Sequence, residues 1–358
     1  MPQFVEKLLN DSRVVPAVWL TQAVAQVFAA AGLSRDAAQT VAAGLVEADL
    51  RGTSSHGTLL VPMYVDRIRK GSVSTAEKAE VVLDAGAVAV LDAHHCLGLL
   101  SGDQAMALAV EKARALGIGV VSVRHAFHFG SAFRYVRTAA AAGCIGVAAA
   151  NTRPLMPAPG GAAPVVGNNP LAIGVPLSDG EPMILDMALS EASLGKIRLA
   201  EQEGRPIPAT WATDRAGRPT TNAAEALAGM LQPAAGHKGY GLALMIDVLT
   251  GVLSGGGFGS GVRGLYADTA VPNDCAHFFL ALNIEAFGDT GDFAARLKDL
   301  AAQITGSPQA PGNMRPLLPG QPEAERAARA DGVNVSTSVL NGLRTTAASL
   351  GISMRDSS

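Results

Sequence analysis

From Ala17 to Ala31 the apolar positions Trp19, Leu20, Ala23, Val24, Val27 and Phe28 fall on one stripe, the spacing of a helix with one buried face. Gly32 stands where a left-handed residue would end that helix, and Ser34 is placed to cap a second one through about Leu50. A polar loop, Arg51 to Gly57, precedes a short helical pattern in MYVDRIRKG. Glu80 to Ala93 alternates as a hairpin folded at Gly86. The middle of the chain changes character: a helix over Gly102 to Leu116 leads into the β-branched run Ile118 to Val123, followed by loop, helix and a second apolar run, Ile145 to Ala150. Leu171 to Val175 and Met183 to Leu185 read as strands flanking a turn at Ser178-Asp179-Gly180. Ser190 is expected to open a helix ending near Gly204, and a long helix should fill Gly239 to Leu253 before the glycine-rich GGGFGSG. His277 to Ile284 reads as one more strand, and the last sixty residues return to helix.

Helices alternating with buried strands define an α/β chain. The change of pattern suggests a mainly helical domain formed by 1–116 with 287–358, packed around an α/β domain of 117–286. Composition narrows the class of protein. Of 358 residues, 48% are hydrophobic and 16% charged, too apolar for disorder, and the net charge of −3 gives no field to hold nucleic acid or a membrane surface. No apolar run is free enough of proline and glycine to span a bilayer, and the opening MPQFVEKLLNDSRVVP lacks the form of a secretory signal. Three scattered cysteines suit a reducing cytoplasm better than a disulfide framework.

Candidate chemistry gathers in a few strings. The spelling G-x-G-x-x-G occurs once, at Gly259, Gly261 and Gly264, but it follows a helical pattern rather than a strand and reads as a loop, not a dinucleotide fingerprint. In Arg51-Gly-Thr-Ser-Ser55-His56-Gly57 an imidazole that can give or take a proton lies beside a hydroxyl and glycines that admit a small substrate; a helix-capping neighbourhood is the plainer reading. Arg124-His125-Ala-Phe-His128-Phe129-Gly130-Ser131 sits where a strand should end, the usual place for a ligand in α/β proteins. There a histidine satisfied by backbone competes with a functional one, and no cluster of acids or cysteines supports a metal pair. Gly236-His237-Lys238-Gly239 opens the long helix with free amides and a cation, suited to a phosphate and equally to an ordinary helix start. Gly167-Asn168-Asn169-Pro170 precedes a strand. Asp186, Met187 and Ala188 lead toward Lys196, and the residues alone favour a capping acid and a solvated lysine.

Read in order, ADLRGTSSHG, HAFHFGSAFRYV, GNNPLAIGVP, ILDMALSEASLGK, IPATWATDRAGRPTTN, GHKGYGLALMIDVLTGVLSGGGFG and LLPGQPEAE resemble the type II malate/L-lactate dehydrogenase family over about Ala48 to Glu325. The resemblance implies a non-Rossmann NAD(P)-binding fold with a mixed central sheet, a homodimer, and NAD or NADP as cofactor. It assigns His56, with Ser55 orienting it, to protonating the substrate, and gives His128 either proton transfer or cofactor contact. Phe129, Gly130, Ser131, Thr152, Asp186, Met187, Ala188, His237, Lys238, Pro319, Gly320 and Gln321 are then expected along the cofactor.

In many relatives an arginine stands four residues after the histidine of the SHG string; here that position is Leu60, which argues against a second substrate carboxylate such as malate's. Asn168 stands where relatives often have threonine, beside Asn169. Lys196 takes the position of an aspartate in the proposed relay of piperideine-2-carboxylate reductases. The implied activity is reversible reduction of a small 2-oxo acid to the 2-hydroxy acid. The alternatives are reduction of a cyclic imino acid such as Δ1-piperideine- or Δ1-pyrroline-2-carboxylate, and a catalytically silent binding protein on the same scaffold.

Overall fold

The computed structural model describes residues 12–354; the stretch read for a secretory signal lies, up to Asp11, outside them. Ala17–Ala30 (α1) and Arg35–Leu50 (α2) form where the stripes place them, and the Ser34 hydroxyl caps α2 by accepting the Ala37 amide at 3.2 Å. Val61–Arg69 (α3) shares their core, where Leu20, Val24 and Phe28 gather with Val41, Leu45 and Tyr64. The chain ends complete this layer. Ser12–Val15 pairs antiparallel with Val333–Ser336, and Leu340, Leu343 and Ala347 from the helix Thr337–Ser349 enter the same core.

Glu80–Ala85 (β1) and Val88–Asp92 (β2) make the expected hairpin, turned at Gly86 with φ +60°. Gly98–Leu116 (α4), Ile118–Ala126 (β3), Phe133–Ala141 (α5) and Cys144–Ala150 (β4) alternate as the pattern predicts, and Leu171–Val175 (β5) and Met183–Met187 (β6) follow. After Leu194–Gln202 (α6), Ala223–Ala228 (α7) and His237–Asp247 (α8), Cys275–Asn283 (β7) threads back into the middle of the sheet. The seven strands run in the order β1-β2-β3-β7-β4-β5-β6. Central β7 is mostly apolar, His277 and the terminal Asn283 apart, because both its faces are covered: Phe279 and Ala281 meet α4 and α5, while Phe278 and Leu280 meet the core that holds α6, α7 and α8. This mixed order is not that of a doubly wound dinucleotide fold, and Gly259–Gly261 is a single tight turn in a loop.

Two expectations change. Much of the stretch from Glu80 to Leu116 joins the sheet rather than the helical layer, because β2 pairs in parallel with β3 and Ala105, Met106 and Ala109 of α4 enter the sheet's core, while Leu97, Leu99 and Leu100 still pack in the helical one. Ser190 does not open α6: its neighbour Glu191 donates its amide to the Gln232 carbonyl at 2.8 Å, holding the backbone extended, and Ser193 caps the helix instead.

Strand direction decides where function can gather. β2, β3, β4 and β6 run one way, and β1, β5 and β7 the other. The segments after β3, β4 and β6 and those before β5 and β7 therefore all emerge at one end of the sheet. His128, Thr152, Asp186 and Asn168 leave from that end.

Candidate active site

The loop after α2 is built to present His56. Gly52 takes a left-handed conformation, φ +84°, and the Thr53 hydroxyl donates back to the Ala48 carbonyl at 3.0 Å, turning the chain into one tight coil at Ser54–His56. Asp49 clasps the far side: its carboxylate accepts the Thr58 amide at 2.9 Å and the Thr58 hydroxyl at 2.7 Å, while burial pushes its pKa up. Gly57 is required between them, since a Cβ there would overlap the Asp49 carboxylate. The Ser55 hydroxyl lies 3.0 Å from His56 Nδ1.

His128, two residues beyond the end of β3, meets that loop. The two imidazoles stack with centroids 5.4 Å apart and planes 27° from parallel. The hydroxyl of Tyr64, on α3, lies 2.6 Å from His128 Nδ1. Desolvation lowers the pKa of His56, and it lowers that of His128 further, aided by the neighbouring His56 and His277, so both rings rest neutral near pH 7. Burial likewise raises Tyr64, which stays a phenol. Tyr64 and Asp49 escape a reading of the sequence. Tyr64 falls on the apolar stripe of its helix and looks like core; nothing local links it to a histidine sixty-four residues on.

Next to His128 the chain turns at Gly130, φ +74°, and the hydroxyl of Ser131 is buried with no hydrogen-bond partner. Asp186 comes in from the end of β6. Its carboxylate accepts the Phe133 amide at 2.9 Å, capping α5 from another segment. Protein crowding that carboxylate, with Glu323 nearby, lifts its pKa to about 6. Pro319, Gly320 and Gln321 lie along the same edge, the Pro319 carbonyl accepting the Ile184 amide of β6 at 3.0 Å. Met187 is exposed and Ala188 half-buried beyond it. Arg51 ties the edge to the histidine loop: its guanidinium lies 4.8 Å from the Phe133 ring and 2.8 Å from Glu181.

At the end of β4, the Thr152 amide donates to the Asn169 side chain at 2.9 Å and its hydroxyl to the Asn168 side chain at 3.0 Å. The first turn of α8 is open, with no side-chain cap, and exposes His237 and Lys238; His237 borders a cleft of about 350 Å³ shared with Pro157, Gly160, Gly217 and Gln232. Lys196 is exposed on the first turn of α6.

Three expected contact residues are turned elsewhere. Leu60 is 2% exposed and packs in the helical core, so its side chain offers nothing to a substrate. Phe129 is equally buried, stacked 4.7 Å from His277, and its carbonyl is turned inward too, accepting the buried Tyr135 hydroxyl. Asn169 is fully buried with its amide spent on Thr152 and on the Ala243 carbonyl at 2.8 Å. His125 departs from His128, its Nδ1 lying 2.9 Å from Asp274.

A sheet of mixed direction whose loops converge on two neutral imidazoles and an unpartnered hydroxyl defines an α/β scaffold outside the doubly wound class, with ionisable groups gathered at one end of the sheet. Residues 15–344 match the family model described as malate/L-lactate dehydrogenase, and the chain belongs to that family. The malate dehydrogenase of Pyrococcus abyssi is 36% identical over 315 residues, covering 86% of each chain. The crystal structure of malate dehydrogenase from Entamoeba histolytica superposes with a TM-score of 0.90 at 28% identity, over 96% of this chain and all of that one. The Δ1-piperideine-2-carboxylate reductase of Pseudomonas syringae pv. tomato superposes with a TM-score of 0.83 at 27% identity, over 93% and 99%.

Proposed function

We propose that this chain reduces a small 2-oxo acid to the 2-hydroxy acid, reversibly, with NADH or NADPH. The observation that carries this reading is the stacked pair of neutral imidazoles, His56 and His128, beside a glycine turn whose buried Ser131 hydroxyl awaits a partner. Ser131 at the Gly130 turn and the exposed Met187, with His237 and Lys238 at the open start of α8, fit a polar cofactor that brings its own hydrogen-bond acceptors. Bound there, the reduced nicotinamide supplies the hydride.

The protein's part is the proton. As C2 of the oxo acid gains electrons its oxygen becomes basic, and His56 gives it a proton, re-aimed by Ser55; in the reverse direction the neutral ring takes the hydroxyl proton. Because burial favours neutral His56, oxidation finds its base ready at pH 7, whereas reduction needs the protonated ring and gains as the pH falls. With Leu60 in the core where an arginine would reach a second carboxylate, monocarboxylic 2-oxo acids suit the site better than oxaloacetate. Lys196 stands where an anionic relay would need an acid, which disfavours the cyclic imine.

The same reading takes the chain as a homodimer, for which the outward apolar face of α8 is the surface, and as cytoplasmic, where three unpaired buried cysteines persist. Among the described residues no helix is long and apolar enough to cross a membrane.

Steady-state assays with each reduced cofactor, comparing pyruvate-like acids with piperideine-2-carboxylate, test the reaction. His56→Ala should lower kcat by about a hundredfold or more. Undiminished turnover would remove His56 from the chemistry, and failure to bind either cofactor in a titration would leave only a silent scaffold.

A further inference from the structure

The His56–His128 stack contains two imidazoles and calls for one proton donor, so something must tell them apart. Tyr64 contacts only one of the pair. Its hydroxyl lies 2.6 Å from His128 Nδ1, at the short end of hydrogen bonds, and its side chain is fully buried among Phe28, Phe127 and His128. A buried phenol proton must be used: if His128 Nδ1 carried its own proton, that proton would point at the phenol oxygen and leave the phenol's hydrogen without an acceptor. If the phenol donates, every polar atom of the contact is satisfied.

We propose that Tyr64 is a positioning residue that holds His128 in the neutral tautomer with its proton on Nε2, so that His128 offers a fixed hydrogen-bond donor to the ligand and leaves proton exchange to His56. The division of labour rests on the 2-oxo acid reading; the tautomer itself does not. No protein atom among the described residues is hydrogen-bonded to His128 Nε2, so the donor is aimed at whatever binds. His56 has no such lock. Its Nδ1 partner is the Ser55 hydroxyl, which donates to a neutral ring and accepts from a protonated one by rotating about its own bond, so it tolerates both states. A phenol confined in the core has no such freedom once its proton is committed. The titratable groups around this lock are His56 on the turn before α3, His277 and Cys275 on β7, and Tyr266 in the loop before β7; among them only His56 stacks on His128.

Long-range nitrogen–proton correlation spectra of 15N-histidine-labelled protein test this directly, the His128 signals being assigned by their loss in His128→Asn. The result expected is a protonated Nε2 and bare Nδ1, unchanged from about pH 5 to about pH 8. A proton on Nδ1, or conversion to imidazolium within that range, would overturn the proposal in the unmodified protein. Tyr64→Phe keeps the ring and deletes the donor. It should release His128 to a mixture of tautomers, lower kcat by about tenfold, and add an acid limb to the kcat profile that the parent lacks. A variant with the parent's tautomer and pH profile would reduce Tyr64 to packing. Because the spectra need no substrate, the lock can fail while the 2-oxo acid activity stands, and the activity can fail while the lock stands.

Discussion

His277 illustrates how far burial alone sets the chemistry of a residue. It is 0% exposed, stacked on Phe129, and desolvation lowers its pKa from 6.5 to about 3, as burial also lowers His56 and His128. The unfolded chain therefore binds protons first as the pH falls. Stability that these rings contribute is present above about pH 6.5 and is lost toward acid. Asp186 works in the opposite sense: its pKa is raised to about 6, so its contribution is present below the ordinary carboxylate range and lost as pH rises through 6. The three rings act together against the single acid. The thermal midpoint should drop as the pH goes from about 7 to about 5, and His277→Phe, which keeps the stack, should flatten that slope. A parent midpoint indifferent to pH across this range would contradict the account. At this scale the sequence marks His56, His128 and Asp186, which interrupt apolar patterns with groups that titrate. It is blind to Tyr64 and Asp49, whose partners are supplied by folding.

Elements show where local preference suffices and where pairing overrides it. The stripe of α1, the Ser34 cap of α2 and the hairpin at Gly86 are written in their own residues and form as read. The long helix over Gly239 to Leu253 is legible as one pattern, but regular α8 stops at Asp247 and the chain widens to a π-turn over Val248–Val252. Asp247 faces inward here: its carboxylate accepts the Asn151 side chain at 2.9 Å and the Gly259 amide at 3.0 Å, joining β4, the helix and the glycine-rich loop. Asp247→Ala strands both donors in a buried site, and should cost about 2–4 kcal/mol of unfolding free energy by denaturant titration, while Asp247→Asn, which keeps one acceptor, should cost less. Equal losses in the two would assign the effect to packing instead. The ladder between Ser12–Val15 and Val333–Ser336 is invisible locally, since each half is too short to be a strand without the other.

For the molecule as a whole, α8 and its π-turn are inside out. The face toward the sheet is mostly small or polar, with Gly239, Ala243, Asp247, Thr250 and Gly251 beside a single large apolar residue, Ile246, whereas Leu242, Met245, Leu249, Val252 and Leu253 stand exposed, up to 61%. Such a stripe is the surface through which the proposed homodimer would close about a two-fold axis. If the chain pairs through this face, Leu249→Glu places two like charges near that axis, and light scattering should give a monomer's mass for the variant against a dimer's for the parent. Retention of the parent's mass would move the interface elsewhere on the protein.

By itself the chain's order of residues determined the α/β class, the extent of most helices and central strands, and the strings where reactive side chains lie, because each depends on spacing within about ten residues. Only tertiary structure decided that Glu80 to Asp92 and most of α4 join the sheet, that Leu60 and Phe129 turn inward, and that Tyr64 meets His128. Those outcomes depend on which distant surfaces bury one another, and a side chain's surroundings are set by packing across the fold rather than by its neighbours along the chain.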